Sequence, residues 1–238
     1  MRSALRFLLL LVVRTVSRLC FRFRVEWVGK PADDPWSGLR LIAILNHTSL
    51  YEPVFSALVP SRLLWRLARD GVIPVADKTV ERPAVGWFFR FAGGRVVAVS
   101  RKRDATWQEG LRQFRDPRAM TVICPEGRML RRDGFDAEGM PMTVRGGVAE
   151  LLAGLRTGGM LLVYSGGLHH IAAPGEGMPR LFRKVPVRLE VLEIPEYHAA
   201  LGGTDDPEAF RRRVVADLTE RRNRYCPVTG TTVPRWVA

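Results

Sequence analysis

Short, unbroken apolar runs that each end in a polar loop constrain this chain more than any other feature. Leu41-Ile42-Ala43-Ile44-Leu45 is the clearest. Five consecutive apolar residues have no wet side, so the run fits a strand covered on both faces, as in the parallel sheet of an α/β domain. Arg95-Val96-Val97-Ala98-Val99-Ser100, Ala119-Met120-Thr121-Val122-Ile123-Cys124 and Met160-Leu161-Leu162-Val163-Tyr164 repeat the pattern. Residues 185–194 read as a further strand, 62–68 as a second strand ending near Gly71 and Pro74, and 21–27 as an alternating strand with one wet face. Helices are expected over 54–58, 82–94, 104–115, 144–155 and 206–222; Asp104 caps one whose Trp107, Leu111 and Phe114 share a face. The expected fold is a single α/β domain with a mostly parallel central sheet flanked by helices.

Sites in such sheets lie beyond the carboxyl ends of the strands. Beyond Leu45 come His47 and, five residues on, Glu52. Pro53 suits the first position of a helix, so 47–51 is expected to be a loop that folds Glu52 back onto the imidazole. Within one helix the two side chains would point about 140° apart. A carboxylate there would fix the ring tautomer and stabilise an imidazolium. The next strands end in Arg101-Lys102-Arg103 and in Pro125-Glu126-Gly127-Arg128, followed by Arg131 and Arg132. Singly, these are a loop histidine with a helix cap and two solvated charge runs. At one sheet edge, they make a candidate site with anion-binding cations. Ser165-Gly166-Gly167-Leu168-His169-His170 after a further strand either borders a pocket or carries two ordinary loop histidines.

The 238 residues, 47% of them hydrophobic, suffice for one large core. A net charge of +13 calls for an anionic partner: nucleic acid, an anionic membrane surface or a phosphorylated substrate. No zinc-finger spacing, recognition-helix pattern or aromatic-basic motif is present, so no nucleic acid is expected. Cys20, Cys124 and Cys226 are odd in number and far apart, which fits a reducing compartment, and no metal-ligand spacing occurs. Residues 1–20 combine the unbroken apolar run 7–13 with Arg2, Arg6, Arg14 and Arg18. A run of seven cannot span a bilayer, which needs ~20 residues. An amphipathic membrane-interface helix is expected, with packing of its apolar side on the domain core as the alternative.

Taken in order over residues 40–195, the loops resemble the motifs of the glycerolipid acyltransferases typified by 1-acyl-sn-glycerol-3-phosphate acyltransferase. Asn46-His47-Thr48-Ser49-Leu50-Tyr51-Glu52 resembles the first motif, with glutamate where the family has aspartate. Gly94 to Arg101 resembles the second, and Cys124-Pro125-Glu126-Gly127-Arg128 the third, with Arg128 and Met129 where threonine and arginine are usual. Leu161-Leu162-Val163-Tyr164-Ser165 stands at the fourth without its proline.

The resemblance implies an acyltransferase domain over 21–225, a tail over 226–238, and a place at the cytoplasmic face of the membrane. His47 would be the general base and Glu52 its orienting carboxylate. Arg101, Arg103, Glu126, Gly127, Arg128 and Arg131 would bind the acceptor, Lys102 and Arg132 would steer it, and 85–91 would line the acyl chain or simply pack in the core. The implied partners are a lysophospholipid and acyl-CoA or acyl carrier protein as donor, with no cofactor. The default acceptor is 1-acyl-sn-glycerol-3-phosphate, giving phosphatidic acid; another lysolipid such as lyso-ornithine lipid is the variant reading. A noncatalytic membrane-surface lipid binder is the rival class, and a Ser49 nucleophile lacks the Gly-x-Ser-x-Gly elbow.

Overall fold

The apolar run at 41–45 forms the centre of the sheet. The computed structural model describes residues 2–76, 95–99 and 105–228. Among them seven strands form one sheet: β1 (Arg22–Trp27), β2 (Leu39–Leu45), β3 (Gly71–Ala76), β4 (Arg95–Val99), β5 (Met120–Ile123), β6 (Gly159–Ser165) and β7 (Lys184–Glu193). Their order is β1-β7-β6-β2-β5-β3-β4. Every neighbouring pair is parallel except β6 with β7. The carboxyl ends of β2, β5 and β6 therefore share one edge with the amino ends of β1 and β7. This is the expected single α/β domain, a mostly parallel sheet flanked by helices. The expected helix over 82–94, its apolar segment 85–91, and Arg101, Lys102 and Arg103 lie outside the described residues.

Both faces of β2 are covered because its side chains alternate between two cores. A register irregularity between Leu39 and Leu41 lifts Arg40 out of the ladder, where its guanidinium donates to the carbonyls of Asp116 (2.9 Å) and Ala119 (3.1 Å). Leu39, Ile42 and Ile44 then face α1 (Arg2–Cys20), the 3₁₀ helix Glu52–Leu58 and α2 (Ser61–Asp70). Leu41, Ala43 and Leu45 face α4 (Gly147–Gly154), α5 (Ile194–Ala200) and α6 (Pro207–Tyr225). Between these layers in sequence, α3 (Ala105–Arg115) packs Trp107, Leu111 and Phe114 on Val72 and Val97.

The strand expected over 62–68 is instead part of α2. Its buried apolar residues, Leu63, Leu64 and Ala68, follow helical spacing, and Pro60 stands at its N-cap position. Residues 71–76, expected to be a strand end and turn, form β3. A Cβ at Gly71 would lie 2.3 Å from the Leu67 carbonyl oxygen, so only glycine lets the chain pass from helix to strand without a loop. Pro74 is tolerated because β3 pairs with β5 only at Gly71 and Val72, leaving the proline in an edge-like setting.

Helix α1 is apolar on two sides. Phe7, Leu10, Leu11 and Cys20 pack against the core, Arg14 donates to Ser61 Oγ (2.8 Å) and Arg18 to the Ala57 carbonyl (2.9 Å). Leu5, Leu8, Val12, Val16 and Leu19, three or four residues apart, form an outward stripe 51–72% exposed. Among the described residues no helix is long and apolar enough to cross a membrane.

Candidate active site

The site starts from a turn that asparagine makes possible. Asn46, directly after β2, has φ +65°, a left-handed conformation that asparagine tolerates better than most residues. Its N–H donates to Glu126 Oε1 at 2.8 Å and its Nδ2 to the Ser165 carbonyl at 2.9 Å, tying the ends of β2, β5 and β6 together. His47 follows, its carbonyl accepting from Leu130 N at 2.8 Å. Thr48 Oγ1 accepts from Leu168 N (2.7 Å), and Ser49 Oγ donates to the Ala172 carbonyl (3.0 Å).

Glu52 folds back onto this loop from the first position of the 3₁₀ helix. Its Oε1 accepts from the amides of Thr48 (3.1 Å) and Ser49 (3.0 Å) and lies 2.9 Å from His47 Nδ1. The imidazole contact has ion-pair distance but lies off the line of a hydrogen bond. Both side chains are largely shielded, 17% and 8% exposed. Burial opposes the imidazolium, but Cys124 and Glu52 outweigh it and hold His47 well above the ordinary histidine value. Burial pushes the Cys124 thiol up, opposed by the His47 ring beside it.

The third loop supports the first from beneath. Glu126 is 1% exposed; burial raises its carboxyl above the usual range, opposed by the Asn46 amide and by Arg222 from α6. The turn after it needs glycine: Gly127 has φ +63° and its N–H donates to the Cys124 carbonyl at 2.9 Å. Arg128 sits between Asp136 and Glu138. Burial opposes the Asp136 carboxylate, yet Arg128 and the amides of Met140 and Glu138 hold its pKa at about 2. Arg132 donates to the His169 carbonyl (3.1 Å) and to Glu176 (2.8 Å). Arg131 is exposed and has no ion-pair partner among the described residues.

The structure thus brings His47, Glu52, Glu126 and Gly127 together, matches Arg128 to carboxylates of its own loop, and leaves Arg131 open to solvent. Arg101 and Arg103 lie outside the described residues. Of the histidine pair, His169 is 1% exposed and its Nε2 sits 2.7 Å from the Leu130 carbonyl, whereas His170 lines an open cavity. Asn46 and Cys124 were not singled out from the sequence. The signal for Asn46 was an asparagine at a strand's end; Cys124 gave none beyond its place before Pro125. No group of three metal-ligating side chains occurs among the described residues.

No family model and no curated sequence matches the chain. Among solved structures, its fold is similar to that of the 1-acyl-sn-glycerophosphate (LPA) acyltransferase PlsC from Thermotoga maritima, with a TM-score of 0.55 and 17% identity over 93% of this chain and 80% of that one. At that identity the likeness is one of fold: this chain has the architecture of a PlsC acyltransferase.

Proposed function

We propose that this protein is an O-acyltransferase that moves an acyl group from acyl-CoA or acyl carrier protein to a hydroxyl of a lysophospholipid. The observation that carries the reading is His47 Nδ1 held 2.9 Å from Glu52 at the carboxyl end of β2. With its proton on Nδ1 beside the carboxylate, the ring presents Nε2 as the base. Nε2 takes the acceptor's hydroxyl proton, the oxygen attacks the thioester carbonyl, and the departing thiolate receives that proton. Such general-base assistance is worth about 10²- to 10⁴-fold. A serine nucleophile is disfavoured, because Ser49 is 2% exposed and its hydroxyl is committed to the Ala172 carbonyl. The chemistry needs no cofactor.

The acceptor we favour is 1-acyl-sn-glycerol-3-phosphate, giving phosphatidic acid; the likeness to the Thermotoga maritima enzyme supports it. Arg131, with Arg101 and Arg103, is proposed to meet the phosphate, while Arg128 and Glu126 shape the loop that carries it. We infer further that the outward stripe of α1 lies on a bilayer at its cytoplasmic face, with leucines and valines in the acyl region. Thiol release from acyl-CoA that requires a lysophospholipid, and is lost in His47→Ala, is the expected result. Normal vesicle binding with no turnover by any donor or lysolipid would favour a noncatalytic lipid binder.

A further inference from the structure

Several of the protein's arginines are already matched to carboxylates: Arg128 to Asp136, Arg132 and Arg180 to Glu176, Arg188 to Glu26, Arg221 to Glu190. Arg22, Arg183 and Lys184 are not; none has an ion-pair partner among the described residues. Yet all three line one open cavity of about 410 Å³, together with His170, Phe182 and Pro186. No acidic side chain lines it. The backbone forces the cations together. Arg22 pairs with Lys184 across parallel strands β1 and β7, and Arg22 N donates to the Arg183 carbonyl at 3.0 Å. His170 Nε2, 2.7 Å from the Lys184 carbonyl, fixes the far wall. Three like charges on one cavity repel one another, and a bound anion relieves that repulsion.

The rim of this cavity is apolar and faces solvent. Phe182 is 62% exposed at φ +59°, an unfavourable conformation for a phenylalanine, and its N–H donates to the Cys20 carbonyl at the end of α1. Met178 (86%) and Leu181 (46%) are exposed on the same loop, and Leu19 (72%), the last residue of the α1 stripe, precedes the Cys20 whose carbonyl Phe182 bonds. Exposed apolar side chains beside unpaired cations match a bilayer surface, with acyl chains inside and phosphates at their edge.

We propose that Arg22, Arg183 and Lys184, under the Phe182 rim, hold the phosphate of an anionic phospholipid within the bilayer. This rests on the membrane reading of α1. The loop that carries the site also touches the His47 loop, through Ser49 Oγ to the Ala172 carbonyl and Tyr51 OH to the Gly177 carbonyl, both at 3.0 Å. Lipid bound there therefore turns the His47 edge of the sheet toward the membrane from which a lysolipid must come.

The test is co-sedimentation of the full chain with phosphatidylcholine vesicles, with and without about a third of phosphatidylglycerol. A triple variant, Arg22→Gln, Arg183→Gln and Lys184→Gln, is compared with a charge-matched control, Arg118→Gln, Arg212→Gln and Arg224→Gln, three exposed cations elsewhere. Membrane-surface cations contribute about fivefold each, so the site variant should lose on the order of 100-fold in affinity for anionic vesicles while keeping its binding to neutral ones. The control should keep most of its preference. Phe182→Gly, which relieves the left-handed backbone, should weaken binding to both vesicles.

Equal losses in both triple variants would mean diffuse charge attraction and overturn the site, as would an unchanged preference in the site variant. Inorganic phosphate replacing chloride at constant ionic strength should displace nothing; displacement would assign the cavity to a free phosphate group instead. A wild-type chain that binds neither vesicle would refute the membrane reading of α1 itself, and the lipid site with it.

Discussion

Replacing Glu52 with glutamine removes the charge beside His47 while keeping an oxygen that can accept from Thr48 and Ser49. At the 2.9 Å between Nδ1 and Oε1, two unit charges attract by ~6 kcal/mol at an effective dielectric of about 20, much of it offset by taking both groups out of water. The net effect of an opposite charge at such range is about one to three pH units on the histidine. The sign follows directly. In the wild type the imidazolium is favoured, so kcat/KM rises with pH through the elevated His47 value. In Glu52→Gln that acid limb moves down by about one to three pH units, and the plateau falls by about tenfold for each, because the imidazolium formed during proton transfer loses the same stabilisation. The two variants should converge at low pH and diverge as pH rises. The assay is acceptor-dependent thiol release across pH, with Glu52→Asp as a charge-keeping control. A limb that stays put in Glu52→Gln, or a plateau that does not fall, would mean that Glu52 does not set the basicity of His47.

Asn46→Gly keeps the left-handed turn and loses only the amide bond to Ser165, whereas Asn46→Ala loses both. The alanine variant should be less stable by about 1–3 kcal/mol in urea melts and the glycine variant by less. The Asp136 carboxylate, held at about 2 against an ordinary 3.8, contributes stability that is full above the ordinary value and lost as pH falls through 2. Asp136→Asn should flatten that part of the stability curve, read from urea melts in acid.

How much of this was legible depends on where each signal lies. The core strands could be read because residues 41–45, 96–99 and 160–164 are apolar without a break and 120–123 is interrupted only by Thr121, the pattern that a covered sheet imposes. α2 could not be told from a strand by apolar content, since Leu63, Leu64 and Leu67 occur in a window too short to separate the two periods. β3 was hidden by Gly71 and Pro74, both turn residues: the glycine answers the close approach of the Leu67 carbonyl, and the proline follows where pairing with β5 has ended. The two-sided character of α1 was present in its composition, but which side meets the core is decided by the 3₁₀ helix and α2. In the site, Pro53 was enough to anticipate a helix start beside Glu52 and a loop that folds the carboxylate back on His47, although the 3₁₀ helix begins one residue earlier than expected, at Glu52 itself. The hydrogen bond from Asn46 to Glu126, the approach of Cys124 to the imidazole, and the pairing of Arg128 with Asp136 and Glu138 are tertiary, and no spacing within a motif encodes them.

The most direct test of the central claim is detection by mass spectrometry of the two-acyl product formed from acyl-CoA and 1-acyl-sn-glycerol-3-phosphate, in wild type and in a folded His47→Ala variant. With His47 as general base, product forms in the wild type and falls by about 10²-fold or more in the variant. Equal product from both would contradict His47 as the base.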